Sequence, residues 1–265
     1  MTIAAIVLGT ALSAAVLAEE EADPLAAVFP DGRHLLTLNY SRIDAFDADS
    51  DLWIPSYSFA YNRRFRFTAQ VPYLKVSRKA SDPLGAGDAD SASGFGDVSV
   101  LIQYDPGANL SANAFVPTTL GLTLGLQLPT GDFREGLGQD AWVATLGGGW
   151  LVDFFKDSWL IPAVSYTQSF DEGSKEFEVQ RADLKVGAFW LFRNVVWLGI
   201  EPNAGYDFVL DDWRLDLAAV LGKAWHNGMA LEVSWGRLDR IDAFAQRDDQ
   251  QLFLTLSYQF GRPPR

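Results

Sequence analysis

The residue types that catalysis requires are sparse in this chain. It has two histidines, His34 at the start of an alternating segment and His226 in a turn, and no serine lies in a nucleophile motif beside either of them. Cysteine is absent, so no thiol nucleophile, disulfide or zinc–thiolate site can form. A hydrolase built on a β-barrel would need Ser/His or Asp/His groups together at one rim. The sequence therefore predicts neither an enzyme nor a bound cofactor.

Three acidic residues, Asp47, Asp49 and Asp51, have the spacing of the first ligands of a calcium-binding loop. Such a loop also needs a glycine and a distal glutamate, and Leu52 and Ser58 stand at those two positions. We therefore favour a solvated loop over a calcium site, and no metal is expected.

A second set of polar residues recurs at alternate positions of otherwise apolar segments. Side chains at alternate positions of a β-strand share one face, so this set is expected to line one interior surface. Two hypotheses remain open: the set binds or passes small solutes, or it forms a static ion-pair network that fills the space. About 8 strands enclose a filled barrel and about 16 an open one, so the strand number does not decide between them. The set comprises Arg66, Asp97, Gln103, Asp183, Lys185, Glu201, Asp207, Arg214, Asp216 and Glu232.

The segments that carry these residues have a period of two. In one, Val98, Val100, Ile102 and Tyr104 alternate with small or polar residues. In another, from Leu120 to Leu128, five leucines alternate with Thr, Gly and Gln. About twelve such segments of roughly ten residues follow one another, with no convincing helix between them. The fold predicted is all-β, a transmembrane antiparallel up-and-down β-barrel of about 12 strands.

The connections between the segments are of two kinds. Those after the second, eighth and tenth segments are very short, and His226-Asn227-Gly228 has the Asn-Gly pair of a hairpin turn. Those after the first, third, fifth, seventh and eleventh are predicted to be longer and polar, and Asp44 to Asp51 is interpreted as the first of these loops. Short turns at one end and long loops at the other are typical of bacterial outer-membrane barrels.

The bulky apolar face is nearly free of charge in mid-strand, where a Lys or Arg that faced lipid would cost about 2–4 kcal/mol. Aromatic residues cluster at the segment ends, as interfacial girdles do. Both features favour a membrane barrel over the alternative, a soluble β-sandwich or lipocalin-like domain. The predicted girdle residues are Trp53, Tyr73, Trp142 and Trp213 at one end, and Tyr61, Tyr104, Trp150 and Trp190 at the other.

Charge and the first residues indicate the compartment. The 265 residues include 34 acidic and 21 basic side chains, a net charge of −13, which argues against binding to nucleic acid. Residues 1–18 contain an apolar run that ends in small residues before three glutamates, which predicts a signal peptide, although no Lys or Arg precedes the run. A buried N-terminal helix is the alternative. We expect a periplasmic linker over 19–33, the barrel over 34–260 and a tail over 261–265, in the outer membrane of a Gram-negative bacterium.

Two glycine-containing segments resemble a known family. Gly94-Phe95-Gly96-Asp97-Val98, which opens one strand, and Leu126-Gln127-Leu128-Pro129-Thr130-Gly131-Asp132, which closes the next, are similar to the G-x-G-D and L-P-T-G-D signatures of the MetA-pathway of phenol degradation family. The resemblance implies an outer-membrane β-barrel transporter, and the family name implies aromatic substrates. The last strand, which ends at Phe260, also resembles the terminal strands of bacterial barrels, which implies the barrel-assembly machinery as a partner.

Two functional hypotheses follow. The first is an outer-membrane transporter or channel for small molecules, with hydrophobic or aromatic ones as the implied class, so the partners are membrane lipid and a small solute. The second is a structural or adhesive barrel that transports nothing.

Overall fold

The structure is a computed structural model that describes most of the chain from His34 to Phe260. The described residues are 34–44, 48–61, 64–78, 91–105, 119–132, 137–138, 141–155, 157–170, 178–192, 196–225, 228–241 and 246–260. The predicted signal peptide, linker and C-terminal tail lie outside this part, as does His226. Among the described residues, no helix is long and apolar enough to cross a membrane.

The described residues form fourteen β-segments, two more than the roughly twelve that alternation predicted. Their bounds are β1 His34–Asp44, β2 Ala48–Ala60, β3 Phe65–Gln70, β4 Tyr73–Arg78, β5 Ser91–Phe95, β6 Ser99–Tyr104, β7 Thr119–Gln127, β8 Trp142–Phe155, β9 Ser158–Phe170, β10 Gln180–Phe192, β11 Val196–Asp207, β12 Asp212–Ala224, β13 Met229–Ile241 and β14 Gln246–Phe260.

The fourteen segments close into a barrel of twelve antiparallel strands. β1 pairs with both β14 and β2, so the sheet has no free edge at this seam. β3 and β4 follow one another along β2, and they pair with β6 and β5 in turn, so each of these two pairs of segments acts as one interrupted strand. The predicted twelve-stranded, up-and-down barrel is therefore confirmed. Closure also pairs the backbone groups that lipid could not satisfy.

The break between β3 and β4 lies beside the break between β5 and β6, and both are explained by Pro72. Pro72 has no N–H to donate to the ladder, and its carbonyl accepts a hydrogen bond from the Gly96 N–H instead, at 2.8 Å. Gln70 pairs with Ser99 and Tyr73 with Phe95, so two residues (71–72) oppose three (96–98). The extra residue is a β-bulge, and because of it Gly94 and Asp97 both face the barrel interior.

The interpretation of Asp44 to Asp51 as a loop is wrong, because β1 extends to Asp44 and β2 begins at Ala48. Opposite charges on adjacent strands make this polar segment compatible with the sheet: Arg42 pairs with Asp51, which also pairs with Lys75. The connection after β1 is therefore three residues (45–47). The connection after β13 is also short, four residues (242–245), so a long loop there was wrongly predicted as well.

The two faces of the barrel differ as a membrane requires. The outward side chains are apolar and exposed, with 62% exposure at Leu146, 58% at Leu217 and 56% at Trp235. Inward positions on the same strands are mostly buried and are small, polar or charged. Water on the outside would make this pattern unfavourable by about 25 cal/mol for each Å² of apolar surface, whereas lipid makes it stable.

Outward aromatic rings form contacts near both ends of the barrel. We call the end with His34 and Phe260 the terminal end and the opposite end the loop end. At the loop end, ring centroids are 5.4 Å apart for Tyr40 and Trp53 and 6.0 Å apart for Trp53 and Tyr73. At the terminal end they are 5.1 Å apart for His34 and Phe260. The loop-end contacts include Trp53 and Tyr73 of the predicted girdle, whereas the terminal-end contact joins two residues outside the predicted set.

Candidate functional site: the barrel interior

The structure places all ten predicted interior residues at inward positions. Seven of them lie on four adjacent strands, β10 to β13, and we call this surface the charged wall. Arg66 lies on β3 and Gln103 on β6, directly opposite one another in the ladder, and Asp97 lies in the bulge before β6. The seven residues of the charged wall are Asp183, Lys185, Glu201, Asp207, Arg214, Asp216 and Glu232.

Within the charged wall, opposite charges and amides pair across strands. Lys185 Nζ lies 2.7 Å from Glu201 Oε1 on the neighbouring strand. Asn203 Nδ2 donates to Asp216 Oδ2 at 3.1 Å. These contacts show that part of the set forms ion pairs and hydrogen bonds with itself, as one of the two sequence hypotheses expected.

Sequence reasoning missed Arg181, which also belongs to this wall. Its Nε donates to Asp183 Oδ2 at 2.7 Å, and its side chain is only 1% exposed. The sequence does indicate an interior position for Arg181, because it lies two positions before Asp183 and so shares its strand face. Arg181 directly follows the acidic stretch 171–180, whose composition is typical of a loop, and this obscured its place in the strand.

Among the buried polar atoms of the charged wall, one atom each on Arg181, Asn203 and Asp216 has no protein hydrogen-bond partner. They are Arg181 Nη1, Asn203 Oδ1 and Asp216 Oδ1. Buried polar groups in proteins are nearly always satisfied, and those without a protein partner are usually satisfied by water. Part of the charged wall is open to solvent, because the side chains of Lys185 and Glu201 are 24% and 14% exposed.

The carboxylate of Asp97 joins the two glycine-containing motifs, an arrangement we call the Asp97 latch. Its Oδ1 accepts hydrogen bonds from the backbone N–H groups of Thr130 (3.0 Å) and Gly131 (2.8 Å), and its Oδ2 accepts one from Gln127 Nε2 (3.0 Å). The Thr130 hydroxyl accepts from the Val98 N–H at 2.9 Å. Asp97 is 5% exposed, so the structure gives it a structural role, beside the solute contact that the sequence suggested.

Behind the latch, Leu137 packs into the barrel interior at the loop end. It is 4% exposed and forms a cluster with Leu52, Ile54 and Leu74. Glycine makes room for it: a Cβ on Gly94 would lie 2.7 Å from Leu137 Cδ1. The glycines that precede β6 therefore serve a close approach of the 128–141 connection.

A larger apolar cluster lies at the terminal end, also inside the barrel. Two of its rings lie over glycines: a Cβ on Gly199 would be 2.5 Å from Phe189, and one on Gly222 would be 1.9 Å from Trp197. The Trp197 indole N–H also donates to Glu232 Oε2 at 3.0 Å. We call this group the terminal-end cluster; it consists of Leu151, Trp159, Phe189, Leu191, Trp197, Val220, Ala224 and Ala230.

The sequence did not predict the terminal-end cluster. Trp197 was placed correctly on the polar face of its strand, beside Gly199 and Glu201. A bulky apolar residue at such a position was the available signal, because the rest of that face is small or polar. Pairing across six strands was needed to show that these isolated residues meet.

The structure gives no indication of a catalytic or metal centre in its described part. His34 lies on the outward face, where Nδ1 is 2.7 Å from the Tyr57 hydroxyl. Asp49 and Asp51 lie in β2, while Asp47 is outside the described residues. No group of three or more His, Cys, Asp or Glu side chains within the described ranges could hold a metal ion.

No protein-family model matches the chain, and no curated protein matches it in sequence. Solved structures do match. An outer-membrane channel from Pseudomonas putida F1 superposes with a TM-score of 0.67 at 14% identity, over 92% of this chain and 100% of that one. The NanC porin superposes with a TM-score of 0.52 at 11% identity, over 85% and 100%.

An autotransporter shares the same architecture. The translocator domain of NalP from Neisseria meningitidis superposes with a TM-score of 0.53 at 10% identity, over 97% of this chain and 96% of that one. At such low identity these likenesses establish the fold and nothing finer. The chain has the fold of the bacterial outer-membrane β-barrels, and its apolar outer face places it in that membrane.

Proposed function

We propose that the protein is an outer-membrane channel for small molecules. The observation that carries the proposal is the charged wall, on which the side chains of Lys185 and Glu201 remain 24% and 14% exposed inside a twelve-stranded barrel. Barrels of about 8 strands are filled by side chains, and a larger circumference leaves interior volume for solvent and solute. The matching Pseudomonas putida and NanC structures are named as a channel and a porin, in accord with this function.

The proposal includes an orientation. Four of the five connections at the terminal end are short: 61–64, 156–157, 193–195 and 225–228. Three of the six at the loop end are long: 79–90, 128–141 and 171–179. Because outer-membrane barrels have short periplasmic turns and longer extracellular loops, the terminal end faces the periplasm.

The resemblance to the MetA-pathway of phenol degradation family belongs to this proposal. The two motifs that carry it are separated by about thirty positions, and they meet at the Asp97 latch. Two short motifs that contact each other in the structure support membership of the family better than two motifs that lie apart. Membership would favour aromatic molecules among the solutes.

Purified protein in planar lipid bilayers tests the channel. We expect discrete current steps in potassium chloride, because charged side chains inside the barrel are partly exposed to solvent. In intact cells, expression should also speed the entry of N-phenylnaphthylamine, an uncharged aromatic probe that an intact outer membrane excludes. Folding is checked by heat-modifiable migration on a gel. Folded protein that gives neither current nor probe entry would contradict the proposal and favour a structural or adhesive barrel.

The interior arginines provide a second test of the channel. Arg66→Gln and Arg214→Gln each remove a positive charge from the interior, so both should shift permeability toward cations. The expected change in the cation-to-anion permeability ratio is at least about twofold, which needs an electrostatic difference of only about 0.4 kcal/mol. Reversal potentials in a salt gradient measure it.

Lys223→Gln is the matched control for this test. Lys223 is outward and exposed, with Nζ 5.3 Å from the centroid of the Trp225 ring, so the same charge is removed from the other face of the barrel. An equal shift in the control and in the two interior variants would show that the arginines do not border the ion path.

A further inference from the structure

We propose that Glu232 is a cation-binding residue of the channel and that organic ammonium ions are among the solutes it recognises. The inference rests on the proposed channel function and deepens it, because it names a solute class and the side chain that binds it. Three features carry it: the fixed position of the Glu232 carboxylate, the absence of an ion-pair partner for it among the described residues, and the apolar side chains beside it.

The Glu232 carboxylate is held at a fixed place inside the barrel. Glu232 is the fourth residue of β13 from the terminal end, and it lies opposite Gly222 in the ladder. The indole of Trp197 crosses Gly222, where any Cβ would overlap the ring, and its N–H donates to Glu232 Oε2 at 3.0 Å. Glycine thus lets a ring from β11 reach a carboxylate two strands away. Glu232 is only half-buried, so a solute can approach it from the interior.

No ion pair within the described residues neutralises this carboxylate. The Trp197 indole that donates to it is uncharged. Two charged groups of the charged wall act on it, Lys185 and Glu201, and these two are paired with each other at 2.7 Å, so their charges largely cancel. Arg66 lies at the same end, but β3 is four strands away from β13 around the ring. A carboxylate in this position favours the approach of a cation.

The charged wall has the same sign as this site. With Arg181 it carries five acidic and three basic side chains, which leaves two negative charges. Arg66 and Asp97, which are inward on other strands, offset one another. Acidic side chains in a confined space raise the local concentration of cations and lower that of anions. A cation that enters at the loop end therefore meets an attractive surface before it reaches Glu232.

The neighbours of Glu232 toward the terminal end are apolar. Trp197 belongs to the terminal-end cluster, and so does Ala230, two positions before Glu232 on the same face of β13. Val220 of the same cluster lies two positions before Gly222 on β12. An inorganic cation gains only the carboxylate here. An alkylammonium ion can place its charged group at Glu232 and its chain against the cluster, so its apolar surface leaves water as well.

Block of the potassium current by solutes of equal chain length tests the inference. Hexylammonium, hexanoate and hexanol differ in charge and little in size, and each is added at pH 8 to purified protein in planar bilayers. We expect hexylammonium to block at concentrations at least about tenfold lower than the other two require. Glu232→Gln should raise the hexylammonium concentration for half block about fivefold or more, although glutamine still offers an acceptor oxygen to the Trp197 N–H.

Glu178→Gln is the matched control, because Glu178 is exposed at the loop end and the same substitution there removes a charge outside the interior. It should leave the block unchanged. Lys185→Gln removes the cation that is paired with Glu201, so it should lower the hexylammonium concentration for half block about twofold or more. This opposite shift carries the test if Glu232→Gln fails to show heat-modifiable migration.

The outcomes separate this inference from the channel itself. If the native protein conducts and hexylammonium and hexanoate block it equally, the cation site is refuted and the channel stands. The same conclusion follows if folded Glu232→Gln is blocked as the native protein is. Folded native protein that gives no current also refutes the cation site, whereas the channel proposal fails only if N-phenylnaphthylamine entry is absent too.

Discussion

Replacement of Asp97 by Asn is expected to lower the free energy of unfolding by about 2–4 kcal/mol. The carboxylate accepts two backbone N–H hydrogen bonds with one oxygen and a side-chain amide with the other. Hydrogen bonds to charged groups contribute about 1.5–3 kcal/mol each, and an asparagine would weaken them and turn an N–H₂ toward a donor. Asp97→Ala should cost at least as much, because it leaves the part-buried amides of Thr130 and Gly131 without their acceptor.

Urea unfolding in detergent micelles or lipid vesicles measures this effect, followed by tryptophan fluorescence. Asp132→Asn is the matched control, since Asp132 belongs to the same motif but its side chain is exposed. It should change stability by less than about 0.5 kcal/mol. Equal effects of the two substitutions would show that the Asp97 latch contributes no more than an exposed carboxylate.

The second large effect is expected from Gly222→Ala. The new Cβ would lie 1.9 Å from Cε2 and 2.4 Å from Nε1 of Trp197, so the indole must leave its recess. Overpacking of this kind costs about 1–3 kcal/mol. Loss of the hydrogen bond from Trp197 to Glu232 adds about 1 kcal/mol.

Two comparisons isolate the cause of that effect. Gly121→Ala is the matched control, because a Cβ there meets nothing within 4 Å; it should be neutral or stabilise by up to about 1 kcal/mol, since alanine loses less backbone entropy on folding. In a Trp197→Ala background, Gly222→Ala should lose most of its cost, which gives a coupling energy of about 1–3 kcal/mol in a double-mutant cycle. An undiminished cost in that background would contradict the proposed clash.

Much of the barrel was predictable because strand faces obey a local rule. Alternation at Val98, Val100 and Ile102 predicts which side chains point outward, since the period of two is a property of the backbone itself. The same rule assigned Asp183, Lys185 and Glu201 to the interior before any pairing was known. The strand number follows from counting these segments, and the aromatic girdles follow from the aromatic residues at their ends.

Local rules failed where the outcome depends on a neighbouring strand. The segment from Asp44 to Asp51 is polar enough to suggest a loop, but Asp51 lies between Arg42 and Lys75 in the sheet, which stabilises it as a strand. Arg181 is a different case, because the period of two places it on the face of Asp183 within the same strand, and only its position beside an acidic stretch obscured it.

The sequence by itself determined a twelve-stranded membrane barrel and the face on which each charged residue lies, because both depend on periodicity along the chain. Only the tertiary structure decided what those residues contact. Closure brings Asp97 to the amides of Thr130 and Gly131, and it gathers Trp159, Phe189 and Trp197 from three strands into one cluster. Contacts of this kind depend on register across the ladder and on the glycines that leave room for rings, and neither is encoded within one strand.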